Sequence, residues 1–376
     1  MVWNWQLPNW PQFTYDSSSI ASLESQFLQG AGGVFAILKH LNDKKKKQFI
    51  VEVLSAEGLN SAEIEGEILE RESLQSSIQR HFGLVSEKNR ILPKEQGMGD
   101  LMWSVYDSYD QILTHEMLYQ WHDMLMQQSG IQDKGKYRTH EDPMQIVSGR
   151  YANQTVYFEA PPSSKVHEEM IRFIDWFNES KKMEPALARA ALAHVYFESI
   201  HPFEDGNGRI GRALVEKALS QKLGQPTLIA ASQVITKRKN EYYEALGTCN
   251  RSLDAGKWVS FFSEVLVQSQ EESLLQINFL MAKSQLMNQL KGKINDRQER
   301  VLLRMFREGV EGFSGGLSAS NYIAITKTSN ATATRDLADL VEKGALNKTG
   351  QLRHTRYWLN ITVNTHQTHS PRDPHP

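Results

Sequence analysis

Apolar residues recur at every third or fourth position along most of this 376-residue chain, which is the spacing of one face of an α-helix. The pattern is clearest over 19–41, 101–113, 116–126 and 166–180. An alanine-rich segment, 186–199, follows Pro185 and predicts a closely packed central helix. The next helix, 210–223, is expected to end at Gly224. The sequence therefore predicts a mainly all-α protein.

The stretch 145–162 departs from this helical spacing. It contains β-prone residues and is closed by Pro161 and Pro162, which end a strand. We expect a small β-hairpin flap here, one strand of which consists of Thr155, Val156, Tyr157 and Phe158.

The C-terminal part of the chain shows a different order of elements. Helices are predicted over 300–307, 317–326 and 330–343, and strands over 344–349 and 353–360, with Gly350 between the strands. Three helices followed by a β-hairpin is the order of a winged-helix domain.

These patterns divide the chain into five predicted regions. They are an N-terminal helical region (1–95), a helical core (96–265), a linker helix (266–297), a winged-helix domain (298–362) and a disordered polar tail (363–376). Within the first region, the lysine run 44–47 predicts a turn. Asn60 or Ser61 is expected to cap the start of a helix.

Charge and cysteine content exclude several classes of protein. Lys and Arg number 42 against 44 Asp and Glu, so the chain as a whole is no general polyanion binder, although a local basic patch remains open. A single cysteine, Cys249, excludes an intramolecular disulfide framework and a cysteine-based zinc site, and fits a cytoplasmic protein. The absence of an apolar run of eighteen residues argues against a membrane span.

The segment 201–212, His-Pro-Phe-Glu-Asp-Gly-Asn-Gly-Arg-Ile-Gly-Arg, concentrates reactive residue types between two predicted helices. Gly206 and Gly208 allow consecutive backbone N–H groups to turn toward one centre, at the positive N-terminus of the following helix. Arg209 and Arg212 lie three residues apart and share a helix face. This arrangement predicts a site for a polyphosphate.

Two further residues of the segment suit chemistry on such a ligand. Asp205 offers the hard carboxylate oxygen that Mg²⁺ accepts beside substrate phosphates. His201 has the side chain best suited to a general base near neutral pH. The chain lacks the Gly-x-x-x-x-Gly-Lys-Ser/Thr pattern of a P-loop enzyme.

The same segment resembles the signature of Fic proteins, His-x-Phe-x-Asp/Glu-Gly-Asn-Gly-Arg-x-x-Arg, and matches it at every specified position. The resemblance extends over about 60–265 and implies a helical core with a β-hairpin flap. It implies transfer of AMP from ATP to a Ser, Thr or Tyr hydroxyl of a protein. Relatives that act as kinases carry Lys where Gly208 stands, so Gly208 favours nucleotidyl transfer.

The resemblance also assigns roles to residues of this sequence. His201 would deprotonate the target hydroxyl, and Asp205 would hold Mg²⁺. Gly206, Asn207 and Gly208 would surround the phosphates of ATP. Arg209 and Arg212 would bind the outer end of these phosphates. Outside the segment, Tyr242, Tyr243 and Asn250 fall where the family places adenine contacts, with core packing as the alternative for the tyrosines. The flap at Thr155, Val156, Tyr157 and Phe158 would dock the target chain, or be a plain structural hairpin.

An upstream piece, Ser61-x-x-x-Glu65-Gly66, resembles the inhibitory-helix motif of Fic proteins that carry their own inhibitor. The resemblance implies that Glu65 pairs with Arg212 and occupies the cation that should hold the outer phosphate. A capped surface helix is the alternative interpretation.

The expected partners follow from these assignments. They are a protein substrate, with self-modification and a homodimer left open. In the predicted winged helix, basic residues such as Arg335, Lys348 and Arg353 would allow DNA contact, but Asp336, Asp339 and Glu342 on the same helix as Arg335 weigh against it. A protein-interaction or dimerisation role is the alternative for this domain. The alternative function is a transcriptional regulator that uses the Fic-like core as a nucleotide sensor. His201 favours the enzyme, since a sensor needs no base.

Overall fold

The computed structural model describes residues 2–84, 91–148, 155–310, 312–313 and 315–361, and the predicted tail 363–376 lies outside them. The chain forms two compact units, Met1–Ser273 and Leu274–Pro376. Helix α11 (Gly256–Leu290) contributes residues to both units. The described residues are mainly helical, which confirms the predicted fold class, and none of their helices is long and apolar enough to cross a membrane.

The first unit is built almost entirely from helices. They are α1 (Ala21–His40), α2 (Asp43–Ile64), α3 (Arg71–His81), α4 (Pro93–Asp107), α5 (His115–Met126), α6 (Ser163–Met183), α7 (Ala186–Ile200), α8 (Asn207–Leu223), α9 (Ala231–Lys237) and α10 (Lys239–Thr248). Strands β1 (Gln145–Ser148) and β2 (Thr155–Glu159) pair antiparallel, with an irregularity between Ile146 and Val147. They form the predicted flap hairpin.

Helix α7 lies at the centre of this unit and is buried along almost its whole length, as its alanine content predicts. Its small side chains permit close packing against α8. The buried Arg189 is accommodated because its guanidinium donates to Ala218 O, Phe177 O and Gln221 Oε1 at 2.6–2.8 Å. Burial nevertheless lowers the pKa of Arg189 to about 10.

Local structure differs from expectation at three places. Residues 44–47 belong to the first turns of α2, which Asn42 caps by accepting from Lys45 N, so the predicted turn was wrong. Ser61 lies near the end of α2 and does not start a helix, because the apolar pattern of 49–64 continues through it. The apolar spacing also predicts one helix over 237–246, but the helical structure is interrupted at Arg238, between α9 and α10.

The second unit has the element order that the sequence predicts. It contains α12 (Asp296–Phe306), α13 (Ala319–Thr326), α14 (Asn330–Glu342) and the antiparallel strands β3 (Leu346–Thr349) and β4 (Arg356–Leu359). Leu317 exchanges two backbone hydrogen bonds of 2.9 Å with Tyr357 and so extends the hairpin before α13. A core that includes Leu302, Leu337 and Leu340 holds these elements together.

Candidate active site

The loop between α7 and α8 begins with a strained residue. His201 adopts a left-handed conformation with φ 50° and ψ 60° and ends α7 by donating its N–H to Phe197 O. Such a conformation is costly for a residue other than glycine and is held by its surroundings. A sharp exit from α7 is the result, and it turns the chain directly into the segment 202–206.

Arg138 supplies much of that support, and sequence reasoning missed it. Its side chain is buried, and its Nε and Nη2 donate to His201 O at 2.9 Å and to Pro161 O at 2.5 Å. The backbone N–H of Arg138 also donates to Pro202 O at 3.0 Å. Burial lowers the pKa of Arg138 to about 10. The position is distant in sequence from the loop, so no local pattern marks it.

The imidazole of His201 lies beside a buried carboxylate. His201 Nδ1 is 3.6 Å from Glu198 Oε2, one helical turn earlier. Burial by itself would raise the pKa of Glu198, but His201, His194 and Arg212 outweigh it and lower that pKa. Glu198 therefore provides negative charge next to the ring of His201.

The turn into α8 is stabilised by Asn207. Its side-chain oxygen accepts from Phe203 N at 2.9 Å, and its side-chain nitrogen donates to Phe203 O at 2.8 Å. The side-chain amide of Asn207 is thus engaged by the loop itself. Contacts with a phosphate would then come from backbone N–H groups in the first turn of α8, which lack acceptors within the helix. Positive charge at that helix end favours an anion.

Two glycines let other groups approach this helix end. Gly206 has φ +81°, and a Cβ there would lie 2.8 Å from the Met126 methyl carbon. A Cβ on Gly208 would lie 2.1 Å from Glu65 Oε1 and 3.1 Å from Arg212 Nη1. A side chain at Gly208 would displace the Glu65 carboxylate, so glycine at 208 lets this carboxylate lie against α8.

Asp205 combines exposure with charged neighbours. Its side chain is 59% exposed, its Oδ1 accepts from Gly206 N at 2.5 Å, and it lies 3.2 Å from Arg209 Nη2. In the described part of the chain, no three His, Cys, Asp or Glu side chains converge as a ready metal site. A single exposed carboxylate such as that of Asp205 suits Mg²⁺ that is held jointly with substrate phosphates.

Arg212 is bound by the end of α2. Its Nε donates to Ser61 Oγ, and its Nη2 donates to Ser61 O and to Glu65 Oε1, each at 2.8 Å. The Arg212 side chain is 2% exposed and that of Glu65 is 34% exposed. Burial alone would lower the pKa of Arg212, but Glu65, Tyr242 and Glu198 raise it. The structure brings Ser61 and Glu65 together with Arg212, at the contact that the sequence predicts.

The end of α2 owes its shape to Gly66. Gly66 has φ +81°; its N–H donates to Glu63 O, and Glu67 N donates to Ala62 O. This pattern is a Schellman motif, which favours glycine at that position. Lys239 Nζ also donates to Ile64 O at 2.6 Å, satisfying a carbonyl at the helix end.

A second acidic contact reaches Arg209, and sequence reasoning missed it as well. Arg209 Nη1 lies 2.8 Å from Glu67 Oε2, while Glu67 Oε1 lies 2.8 Å from Lys94 Nζ. Both arginines of the 201–212 segment are thus paired with carboxylates from the stretch after α2. Position 67 lies just outside the motif that drew attention to Glu65.

The residues expected near adenine are partly engaged elsewhere. Tyr242 is buried, its hydroxyl lies 2.7 Å from His194 Nε2, and burial raises its pKa. Tyr243 is 46% exposed, and burial of its hydroxyl raises its pKa to about 12. Asn250 Nδ2 donates to Tyr157 O at 3.1 Å. Asn250 therefore ties the flap to the short 3-10 helix Cys249–Arg251.

The flap strand presents alternating faces. Phe158 is buried against Trp3, with ring centroids 5.6 Å apart, whereas Tyr157 is 53% exposed and Val156 is half-buried. The side chain of Thr155 lies outside the described residues. The hairpin is thus anchored from one face.

The family comparison agrees with this geometry. Residues 112–219 match the Fic/DOC family, and residues 3–84 match a domain of unknown function, DUF4172. The match over 112–219 confirms the resemblance inferred from the sequence.

Similar proteins carry the same family name. A protein adenylyltransferase Fic of Drosophila willistoni is 35% identical over 130 residues, 33% of this chain and 24% of that protein. One of Culex quinquefasciatus is 25% identical over 281 residues, 67% of this chain and 52% of that protein. The matches thus span about a quarter to a half of these relatives.

Solved structures share the fold. A Fic family protein from Desulfovibrio desulfuricans G20 aligns with a TM-score of 0.56 at 21% identity, covering 93% of this chain and 98% of that one. A Fic domain containing signaling protein from Bacteroides thetaiotaomicron aligns with a TM-score of 0.50 at 21% identity, covering 68% of this chain and 96% of that one.

Proposed function

We propose that this chain transfers AMP from ATP to the hydroxyl group of a Ser, Thr or Tyr side chain in a protein and releases pyrophosphate. The observation that carries the proposal is the loop between α7 and α8. It places His201, the N-terminus of α8, Arg209 and Arg212 within one short segment supported by buried groups. The relatives named protein adenylyltransferase support the same reaction.

In this reaction His201 acts as the general base. The target oxygen attacks the α-phosphorus of ATP while its proton passes to the His201 ring, and the bond from the α-phosphorus to the pyrophosphate oxygen breaks. Glu198, 3.6 Å from His201 Nδ1, stabilises the imidazolium that forms. Arg138 acts as a positioning residue, because it holds the His201 carbonyl and with it the turn.

The phosphates of ATP are bound by the charges around the start of α8. Backbone N–H groups there, together with Arg209 and Arg212, balance the phosphate charge and the charge that leaves with pyrophosphate. Asp205 would hold Mg²⁺ jointly with the phosphates. When bound, Mg²⁺ would neutralise part of the phosphate charge.

The stretch 61–67 holds this site in an inhibited state. Glu65 occupies Arg212, which would otherwise bind the outermost phosphate, and Ser61 completes that contact with two further acceptors. Glu67 occupies Arg209 in the same way but shares its carboxylate with Lys94. Transfer then requires displacement of the end of α2 from α8.

The flap provides the docking surface for the target chain. Strand β2 has β1 as its strand neighbour, and the exposed Tyr157 lies on it, so an extended target segment can pair with the hairpin. Asn250 holds this strand in position through its hydrogen bond to Tyr157 O. Self-modification would use the same surface.

The test uses ATP labelled either on the α-phosphate or on the γ-phosphate, with Glu65→Gly protein and Mg²⁺ in a host lysate. Each label is compared with that of the same lysate without added protein, because the lysate's own kinases also transfer γ-phosphate. We expect Glu65→Gly to raise α-label on protein above this background and to leave γ-label at it, and a Glu65→Gly/His201→Ala double variant to raise neither. A rise in γ-label would indicate a kinase, and no rise in either label with Glu65→Gly would contradict the proposed transfer.

A further inference from the structure

The second unit has a charge balance opposite to that of the whole chain. Residues 274–361 contain 13 Lys and Arg against seven Asp and Glu, whereas the full chain has a net charge of −2. A compact unit with such an excess attracts polyanions even when the whole protein does not.

Two of the three acidic residues of α14, Asp336 and Asp339, are paired within the second unit, whereas Glu342 is exposed at the C-terminal end of the helix. Asp336 is buried and accepts from Arg297 Nε, Tyr322 Oη and Asn295 Nδ2 at 2.9–3.2 Å. Asp339 accepts from Gln298 Nε2 at 2.6 Å and is also paired with Lys343. Both carboxylates are thus neutralised by cations within the unit.

The exposed face of α14 consists of small and polar residues with Arg335 near its middle, and the exposed Glu342 lies one turn beyond Ala338 at the C-terminal end of the helix. Asn330, Ala331, Thr334, Arg335 and Ala338 are exposed and lie at the i, i+4 spacing of one helix face. Small side chains let another backbone approach the helix, and Arg and Asn are the residues that read base edges in a major groove. The large apolar residues Leu337 and Leu340 face the core.

Further positive charge flanks this face. Lys327 is exposed just before α14, and Lys348, Arg353 and His354 are exposed on the β3–β4 hairpin and its connection. Gly350, with φ +73°, shapes the turn between the strands. Neighbouring phosphate groups can be contacted by such a hairpin while a helix lies in the groove.

We propose that the second unit binds duplex DNA, with the exposed face of α14 in the major groove and the β3–β4 hairpin against the phosphate backbone. Charge complementarity favours this partner, because basic side chains lie on both elements. Asp336 and Asp339, the acidic side chains of α14 nearest Arg335, are paired within the unit, and the exposed Glu342 lies two helical turns beyond Arg335. The proposal is independent of AMP transfer and goes beyond it.

The test measures binding of the full-length chain to a fluorescent mixed-sequence DNA duplex of about 30 base pairs at several salt concentrations. The variant Lys327→Ala/Arg335→Ala/Lys348→Ala removes three charges from the proposed surface. The matched control Lys293→Ala/Arg300→Ala/Arg307→Ala removes three exposed charges outside it. Thermal unfolding of all proteins establishes that they are folded.

We expect the surface variant to bind at least about tenfold more weakly at low salt and to lose about one unit of salt dependence per phosphate contact removed. The control variant should bind as the wild type does. Equal weakening by both variants would overturn the proposal in favour of diffuse charge. Absence of wild-type binding at low salt would overturn it too. In that case, an increase of molecular mass with protein concentration would indicate that the surface binds protein. Leu352, which is 93% exposed, would be a candidate contact for that protein.

Discussion

The active-site loop, 201–212, and the stretch that covers it, 61–67, are held in place by different means. The loop is fixed largely from within and by neighbouring backbone, through the Asn207–Phe203 hydrogen bonds and the contacts of Arg138 with His201 O and Pro161 O. The covering stretch is held by hydrogen bonds that Arg212 and Lys239 donate to it and by the ion pairs of Glu65 and Glu67.

The contacts that shape the loop are therefore different from the contacts that cover it. Removing charge from 61–67 leaves the loop's own hydrogen bonds intact, so the site should persist when the cover is loosened. In the proposed mechanism an anionic ligand would compete directly with Glu65 and Glu67, because each is paired with an arginine that suits a phosphate. The four variants below test this separation.

Replacing His201 with Ala in the Glu65→Gly background should have the largest effect on transfer. We expect a loss of about 10²–10⁴-fold in labelling, since the general base is removed, with ATP binding nearly unchanged. His40→Ala, at an exposed position on α1, is the matched control. Retention of full labelling by the His201 variant would show that another group takes the proton.

Replacing Glu65 with Gly should raise labelling by about 10- to 100-fold, because a charge-assisted contact of about 1.5–3 kcal/mol no longer holds Arg212. Without ligand the variant should melt at a lower temperature, and Mg·ATP should recover part of that loss. Glu63→Gly weakens the same helix end without removing this contact. If the Glu65 and Glu63 variants were labelled equally, the gain in labelling would come from fraying of the helix end and not from loss of the Glu65–Arg212 contact.

Replacing Glu67 with Gln should give a smaller increase, about two- to fivefold. Its carboxylate is shared with Lys94, and pairs that remain partly exposed are worth about 1 kcal/mol or less. Combined with Glu65→Gly, the change should add to the gain in labelling. If Glu67→Gln changes labelling neither in the wild type nor in Glu65→Gly, inhibition is confined to Glu65.

Replacing Glu57 with Gln tests how α2 is anchored away from the active site. Glu57 Oε2 accepts from Ser232 N at 2.8 Å, and burial raises its pKa to about 7, against the lowering effect of Ser232 and Arg212. Folded protein therefore keeps this proton up to about pH 7, whereas the unfolded chain releases it near 4.5. The resulting stability is present at low pH and is lost as pH rises through this window, by about 3 kcal/mol in total.

The measurement is the free energy of unfolding between pH 5.5 and 8 for wild type and Glu57→Gln. We expect the wild type to lose about 2 kcal/mol more than the variant over this range. Glu63→Gln, on the exposed side of the same helix, should behave as the wild type does. If the free energies of unfolding of wild type and the Glu57 variant changed in parallel with pH, the Glu57 carboxyl would not be the cause of the pH dependence.

Local patterns predicted the fold class, the flap and the 201–212 segment, because helical spacing, strand propensity and a run of reactive residues are all visible within a short window. The contact of Glu65 with Arg212 was reached only through resemblance to a family motif. Arg138 and Glu67 were missed because each acts on a partner far away in sequence. Asp336 was misjudged for the same reason, since its partners Arg297 and Tyr322 lie on other helices.

The central claim is that Glu65 keeps Arg212 from the outermost phosphate of ATP. It is tested most directly by calorimetric affinities for ATP and ADP, with Mg²⁺, of His201→Ala and Glu65→Gly/His201→Ala proteins, in which turnover is blocked. The account predicts similar affinities for the two nucleotides in the single variant and a preference for ATP of about tenfold in the double variant. The same ATP-to-ADP ratio in both proteins would contradict it.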